Sequence, residues 1–337
     1  MSDDTDTDSG PDAGARPDSD FWSDRHVVVT GGGGFLGSAV VRALRDQAAG
    51  RVSAPSSTDF DLRRREDADA MVEQLRPDLV IHLAAKVGGI GANMARPSDL
   101  YMDNLLMGTY VLDATLRAGT PKTVMIGTIC SYPKFTPVPF SEDSLWHGYP
   151  EETNAPYGVA KLAQLTQLRA NRDQYGQAAI YLMPTNLYGP GDKFNPAVSH
   201  VIPALIKKCV DAKEAGDDHI DVWGTGTASR EFLYVDDAAN AVVLAAERYD
   251  EGEPVNLGTD EEMPIRDLVE VITELVGFTG EVRWDTSRPD GQPRRRVDPS
   301  RARKYFGFEA SVSFRDGLRR TIDWYLTHRD EAEARST

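Results

Sequence analysis

The sequence predicts an α/β fold, a doubly wound parallel sheet with a smaller C-terminal lobe, on three observations. Short β-branched runs alternate with amphipathic stretches of helical length through the first half of the chain, as parallel strands joined by crossover helices do. A glycine-rich turn lies directly between the first such run and the first helical stretch. After Pro184 the alternation loosens, with Gly189, Pro190 and Gly191 close behind, and further helices follow among short strands and loops.

Each element follows from its local pattern. Residues 1–24 are Asp, Ser, Gly and Pro with almost nothing apolar before Phe21, so they are expected to form a disordered acidic tail. His26–Thr30 reads as the first strand and Phe35–Asp46 as the first helix, with a second strand ending near Ala54. Leu79–Leu83 is a buried-strand pattern after a helix ending near Arg76. Helix Leu100–Ala118, strand Thr123–Ile126, helix Pro156–Tyr175 and strand Ala179–Met183 continue the series. Later helices are expected near Val201–Ala212, Asp236–Ala246, Ile265–Leu275 and Phe314–Leu326. The expected organisation is a nucleotide-binding domain over 25–185, to which about 232–258 returns. A second lobe covers 186–231 and 259–328, and 329–337 is a tail.

Composition narrows the function classes. The chain has 337 residues, 40% of them hydrophobic, enough for a sizeable core, and its net charge is −16. So acidic a surface disfavours nucleic acid or an anionic membrane as a partner, and a site for an anionic substrate must gather its cations locally. The two cysteines, Cys130 and Cys209, make neither a disulfide framework nor a metal-binding spacing, which suits a reducing cytoplasm. No apolar run approaches the roughly 18 residues of a membrane span, and no secretory signal is legible.

The turn Thr30-Gly31-Gly32-Gly33-Gly34-Phe35-Leu36-Gly37 places glycines at 31, 34 and 37. Between a strand and a helix, that spacing lets the backbone approach a pyrophosphate at the helix N-terminus, the Rossmann-like arrangement for a dinucleotide. Beyond the second strand an acidic residue favours NAD and a basic one NADP. The segment Pro55-Ser56-Ser57-Thr58-Asp59 holds no Lys or Arg and leaves the choice open. Asp61 with Leu62 could meet the adenine, and Asp61 is equally plausible as a helix cap.

Tyr157 and Lys161 form a Y-x-x-x-K pair on one face of a predicted helix. An adjacent ammonium is expected to lower the phenol from its reference pKa of about 10 toward usefulness as an acid/base. Alone the pair could be a surface pair. Thr128, just beyond the strand Thr123–Ile126, adds a hydroxyl where parallel strands open on the cofactor crevice, and together they predict a reductase site.

These residues carry a resemblance. Gly31–Gly37, His82-Leu83-Ala84-Ala85, Tyr157 with Lys161, and the string from Pro184 to Pro190 resemble the extended short-chain dehydrogenase/reductases. The strings Lys86-Val-Gly-Gly-Ile90, Cys130-Ser-Tyr-Pro-Lys134 and Ser199-His-Val-Ile-Pro-Ala204 are similar, more narrowly, to the GDP-L-fucose synthase group within them. The resemblance covers about His26 to Tyr325. It implies a two-step conversion of GDP-4-keto-6-deoxy-D-mannose, 3,5-epimerisation followed by NADPH-dependent reduction at C4. Cys130 and His200 would be the acid and base of epimerisation, Thr128 and Tyr157 would hold the enolate oxygen, and Lys161 would orient the nicotinamide ribose. Cofactor contacts are implied for Gly31, Gly34, Phe35, Leu36, Gly37, Asp61, Leu62, Leu83, Ala84, Ala85, Tyr157, Lys161, Pro184, Asn186, Leu187 and His200. Lys208, Trp223, Arg230, Asp290 and Arg295 match positions that hold the GDP-sugar, although Arg294-Arg295-Arg296 also reads as a solvated run.

Two departures concern the 2′-phosphate of NADP. The group often has Arg where this chain has Gly33, and a basic residue in place of the Pro55–Thr58 segment, so NAD stays open as the cofactor. Another nucleotide-sugar epimerase or a 4,6-dehydratase is the nearest alternative; a dehydratase calls for an acidic residue at Ile129. A regulator that has lost catalysis is disfavoured because Tyr157 and Lys161 are both present. The resemblance also implies a homodimer built on Leu100–Ala118 and Pro156–Tyr175.

Overall fold

The computed structural model describes residues 21–195, 199–287 and 291–334. In chain order the first half runs β1 (His26–Thr30), α1 (Phe35–Asp46), β2 (Arg51–Ser53), α2 (Arg65–Leu75), β3 (Leu79–His82), α3 (Ile90–Ala95), α4 (Pro97–Arg117), β4 (Lys122–Ile126), α5 (Ala155–Tyr175) and β5 (Ala179–Pro184). Then come β6 (Asn186–Tyr188), α6 (Val201–Ala215), β7 (His219–Trp223), β8 (Ser229–Arg230), β9 (Phe232–Tyr234), α7 (Val235–Arg248) and β10 (Pro254–Leu257). The chain closes with β11 (Met263–Pro264), α8 (Ile265–Val276), β12 (Glu281–Asp285), β13 (Arg294–Arg295), α9 (Ser300–Phe306), α10 (Phe314–Thr327) and α11 (Arg329–Ala334).

Six strands make one sheet in the order β10-β5-β4-β3-β1-β2, every pair parallel. Five of its strands, β1, β3, β4, β5 and β10, are buried almost throughout, as strands covered on both faces are, whereas the edge strand β2 is exposed to half-buried. Alternate side chains separate the faces. Val27, Val29, Leu79, Ile81, Val124, Ile126, Ile180 and Leu182 pack with α1 and α7. Val28, Val80 and Ala68 join α2 and α4, while Met125, Tyr181 and Met183 pack with α5. The chain turns back between β1 and β3, where a doubly wound sheet opens its crevice at the carboxyl ends of the strands. A further apolar cluster gathers Tyr188, Ile206, Val222, Phe232, Leu268, Ile272, Leu318 and Tyr325 from the second half.

Both expected tails shorten. Phe21–Asp24 form a turn, and Trp22, only 2% exposed, packs into the core against the α1 side of the sheet. Its carbonyl accepts the Arg25 and Gly50 amides, so order begins before Arg25. At the other end Arg329–Ala334 is helical, with Ala332 buried and its carbonyl accepting the Phe194 amide. Among the described residues, no helix is long and apolar enough to cross a membrane.

Candidate active site

The carboxyl ends of β1, β3, β4 and β5 border one cleft of about 1880 Å³, which also reaches α6, β7, β8 and β13. Small-molecule pockets usually enclose about 300–1,000 Å³, so this one has room for two ligands end to end.

At one end lies the glycine turn. Gly31 has φ +69°, and a Cβ there would stand 2.7 Å from the Ala84 amide nitrogen, while one on Gly37 would collide with the Gly31 carbonyl. The tight turn therefore lets β1, β3 and the head of α1 close up, with Gly31, Gly34, Phe35, Leu36, Gly37, Leu83, Ala84 and Ala85 lining the cleft. Asp61 and Leu62 line it too. Asp61 binds Arg63 through Nε at 2.8 Å and Nη2 at 2.7 Å, which lowers its carboxyl pKa to about 2. Beneath the turn His82 is fully buried, with Nδ1 2.9 Å from Thr30 Oγ1. Burial, helped by the charge of Lys161, lowers its pKa to about 3.

At the centre, Thr128 caps a single 3₁₀ turn, Ile129–Ser131, its Oγ1 accepting the Cys130 amide at 3.2 Å. This turn carries Cys130 to the same cleft as Thr128. Ile129 is buried in the core behind it, where no acid/base function is available. Helix α5 presses on this turn: a Cβ on Gly158 would lie 2.5 Å from the Cys130 carbonyl oxygen, and Ser131 Oγ donates to the Gly158 carbonyl at 3.1 Å. Tyr157 thereby meets Thr128, whose side chain hydrogen-bonds the phenol.

The expectation that Lys161 lowers the phenol fails. Burial and nearby Cys130 raise the Tyr157 pKa, and the Thr128 hydrogen bond offsets them only in part. Lys161 is 2% exposed, and that burial lowers its own pKa to about 8. Burial comes first in both shifts, since leaving water penalises the charged form of each group.

His200 stands at the head of α6 without a capping hydrogen bond, so its ring is not spent on the helix end. It lines the cleft and is open to solvent there, yet protein crowds it closely enough that desolvation, then the charge of Lys193, lowers its pKa. Cys209 keeps its expected structural place, buried in the second cluster with its thiol pushed up to about 12.

The far end is cationic. Arg230 on β8 pairs in register with Arg295 on β13, which sets the two side chains next to each other. Arg230 Nη1 donates to the Gln292 carbonyl at 2.7 Å, and Arg295 Nη1 reaches Cys130 Sγ at 3.9 Å. Lys208 donates to the Asp221 carbonyl, and Trp223 is 65% exposed at the rim. Pro184, Asn186 and Leu187 line the floor. Thus every site residue expected from the sequence borders this one cleft except Asp290, which lies outside the described residues. Sequence reasoning missed Arg63, Lys86, Lys193 and Gln292, which also line it. Lys86 sat inside a string that carries the resemblance, and so did Gln292, in Pro289-Asp-Gly-Gln-Pro-Arg294; Arg63 and Lys193 had no motif to mark them.

The fold is that of a nucleotide-dependent oxidoreductase, and its cleft gathers hydroxyl, thiol and imidazole side chains beside one another. The chain belongs to the NAD dependent epimerase/dehydratase family, whose model matches residues 27–258. It is 43% identical over 300 residues to GDP-L-fucose synthase 1 of Arabidopsis thaliana, covering 89% of this chain and 93% of that one. To GDP-L-fucose synthase of Escherichia coli it is 36% identical, over 91% of this chain and 98% of the other. The crystal structure of a GDP-L-fucose synthetase from Naegleria fowleri superposes with a TM-score of 0.84 at 30% identity, over 92% and 95% of the two chains.

Proposed function

We propose that this chain converts GDP-4-keto-6-deoxy-D-mannose to GDP-L-fucose, inverting C3 and C5 and then reducing C4 with NADPH. The observation that carries the reading is one cleft holding both chemistries, Thr128, Tyr157 and Lys161 for a ketone and Cys130 with His200 for the carbons beside it.

The C4 ketone makes the hydrogens on C3 and C5 acidic. A base on one face takes the proton, the electron pair moves to O4 as an enolate, and an acid on the other face returns a proton to carbon, inverting it. Cys130 lies on the turn that follows β4 and His200 at the head of α6, separate parts of the chain, as opposite faces require. His200, its pKa lowered, is neutral at pH 7 and able to accept a proton. Thr128 and Tyr157 are hydrogen-bonded to each other, and the proton this pair leaves free would be given to the enolate oxygen, as a preorganised donor does for developing charge. In the final step O4 takes the Tyr157 proton, and Lys161, close to neutrality in pKa, replaces it.

The glycine turn fits a dinucleotide pyrophosphate, since Gly31 and Gly37 let β1, β3 and the head of α1 close up and bring the helix N-terminus to the cleft. NADPH bound there supplies the hydride for C4. Arg230 and Arg295, side by side, suit the diphosphate of the sugar nucleotide, and the Trp223 face suits guanine. A homodimer through α4 and α5 is supported by Met102 and Tyr175, large side chains left exposed on those helices. The free thiols of Cys130 and Cys209 suit the cytoplasm.

The test is incubation with GDP-4-keto-6-deoxy-D-mannose and NADPH in deuterated water, with the product resolved by NMR. The expected product is GDP-L-fucose carrying deuterium at C3 and C5. Cys130→Ser should lose that incorporation yet still reduce C4, because a serine hydroxyl is far less acidic than a thiol. Undiminished deuterium in both Cys130→Ser and His200→Asn would sink the epimerase half and leave a plain ketosugar reductase.

A further inference from the structure

We propose that the cofactor's ribose 2′ subsite in this chain is built for a hydroxyl, so that NADH binds about as well as NADPH. The inference rests on the function proposed above and concerns the opposite end of the cleft from the sugar.

The subsite lies past the end of β2, where Gly33, Ser56, Ser57, Asp61 and Arg63 line the cleft. Proton counting at Ser56 decides its preference. Its Oγ donates to Asp59 Oδ2 at 2.7 Å, and its amide donates to the same carboxylate oxygen at 2.8 Å. A hydroxyl has one proton, so in the 2.7 Å contact between Ser56 Oγ and Thr58 Oγ1 the donor must be Thr58. Ser56 is left presenting a lone pair. A ribose 2′-hydroxyl can donate to it; a 2′-phosphate, acceptor-only as a dianion, cannot. The phosphate would also face the Asp59 carboxylate directly behind Ser56, held ionised by these same bonds.

Compensating charge is absent. Among the described residues Arg63 is the one cation lining this end, and Asp61 already engages its Nε and Nη2, with Asp103 3.7 Å from its Nη1. The group carries no net positive charge. An acidic residue beyond the second strand goes with a free ribose hydroxyl and an available Arg with the phosphate, and here the acidic arrangement is the one present. Gly33 shows that space is not the constraint, because a Cβ there meets nothing within 4 Å.

The experiment measures dissociation constants of NADPH and NADH on the full chain by calorimetry, with no sugar present. Binding is thus read separately from turnover, and failure of the proposed function would show instead as an unreacted keto-sugar with either cofactor. The two constants are expected within about tenfold of each other, the value of one charge-assisted bond at its weakest. Gly33→Arg should tighten NADPH by about tenfold or more and leave NADH unchanged. Asp59→Asn should tighten NADPH alone. Native preference for NADPH beyond about a hundredfold, well past one weak charge-assisted bond, would overturn the proposal. So would an Arg63→Gln variant that weakens NADPH and spares NADH, since that would make Arg63 the phosphate anchor. A preference between those limits counts against it unless Gly33→Arg still widens the gap.

Discussion

Tyr157 keeps its proton because burial governs it, and an acid that must give a proton to O4 is useful only while it has one. Tyr157→Phe removes that proton but keeps the ring, so cofactor binding should persist while reduction of the keto-sugar falls by about 10²–10⁴-fold. Single-turnover rates check this, and an undiminished rate would take Tyr157 out of the mechanism. His82 gives the pH prediction. Its pKa falls from about 6.5 unfolded to about 3 folded, so between those values the unfolded chain binds the extra proton. Stability is therefore full above about pH 6.5 and lost as pH falls toward 3, by at most several kcal/mol on the order of the full shift. His82→Asn should flatten the acid limb of a denaturant-midpoint series, and an unchanged limb would assign the loss to carboxylates instead. Of these residues Tyr157, Lys161 and Thr128 were legible because spacing and strand ends are local signals. The approach of Arg295 to Cys130 was not, since it depends on two strands pairing far along the chain.

Helix α5 aims the site through one small residue. Gly158 lets the helix rest on the Cys130 carbonyl, and through that contact Tyr157 keeps its register with Thr128 and Cys130. Gly158→Ala should push helix and turn apart. Overpacking of this kind costs about 1–3 kcal/mol, and both deuterium exchange and reduction should decline together. Loss of stability with neither rate changed would separate the packing from the chemistry. The long elements were readable in the sequence because their periodicity is strong and their burial two-sided or one-sided in a regular way; α5 begins one residue from its expected start. What hid were the ends. Phe21 and Trp22 are two aromatics inside an acidic stretch, and an average over that stretch conceals them. Helix α11 has a single buried residue and is held by Arg329, which binds Asp211 and Glu214, far back in the sequence, as well as Glu333 one turn on.

The whole molecule carries 53 acidic against 37 basic side chains, and that imbalance sets how salt should act on it. Two electrostatic effects oppose each other. Ion pairs such as Arg301–Asp143 at 2.6 Å and Lys134–Glu152 at 2.8 Å are lost slowly on screening, because their separation stays within the Debye length of about 3 Å at 1 M salt. Exposed pairs contribute only about 0–1 kcal/mol each in any case. Repulsion among the surplus carboxylates acts over longer distances, which a Debye length of about 30 Å at 0.01 M leaves nearly intact and 1 M removes. Repulsion is the larger loss, so the melting temperature should climb from low salt to about 1 M KCl as that length shrinks. Screening saturates as the Debye length falls to atomic dimensions, so the climb should level off at about 1 M. Six of the sixteen net negative charges sit in the first twenty residues, which hold seven aspartates and one arginine. A chain starting at Phe21 keeps the other ten and should keep most of the response. A melting temperature that stays flat or drops over the KCl series would show that the contact pairs, not the surplus charge, dominate this surface.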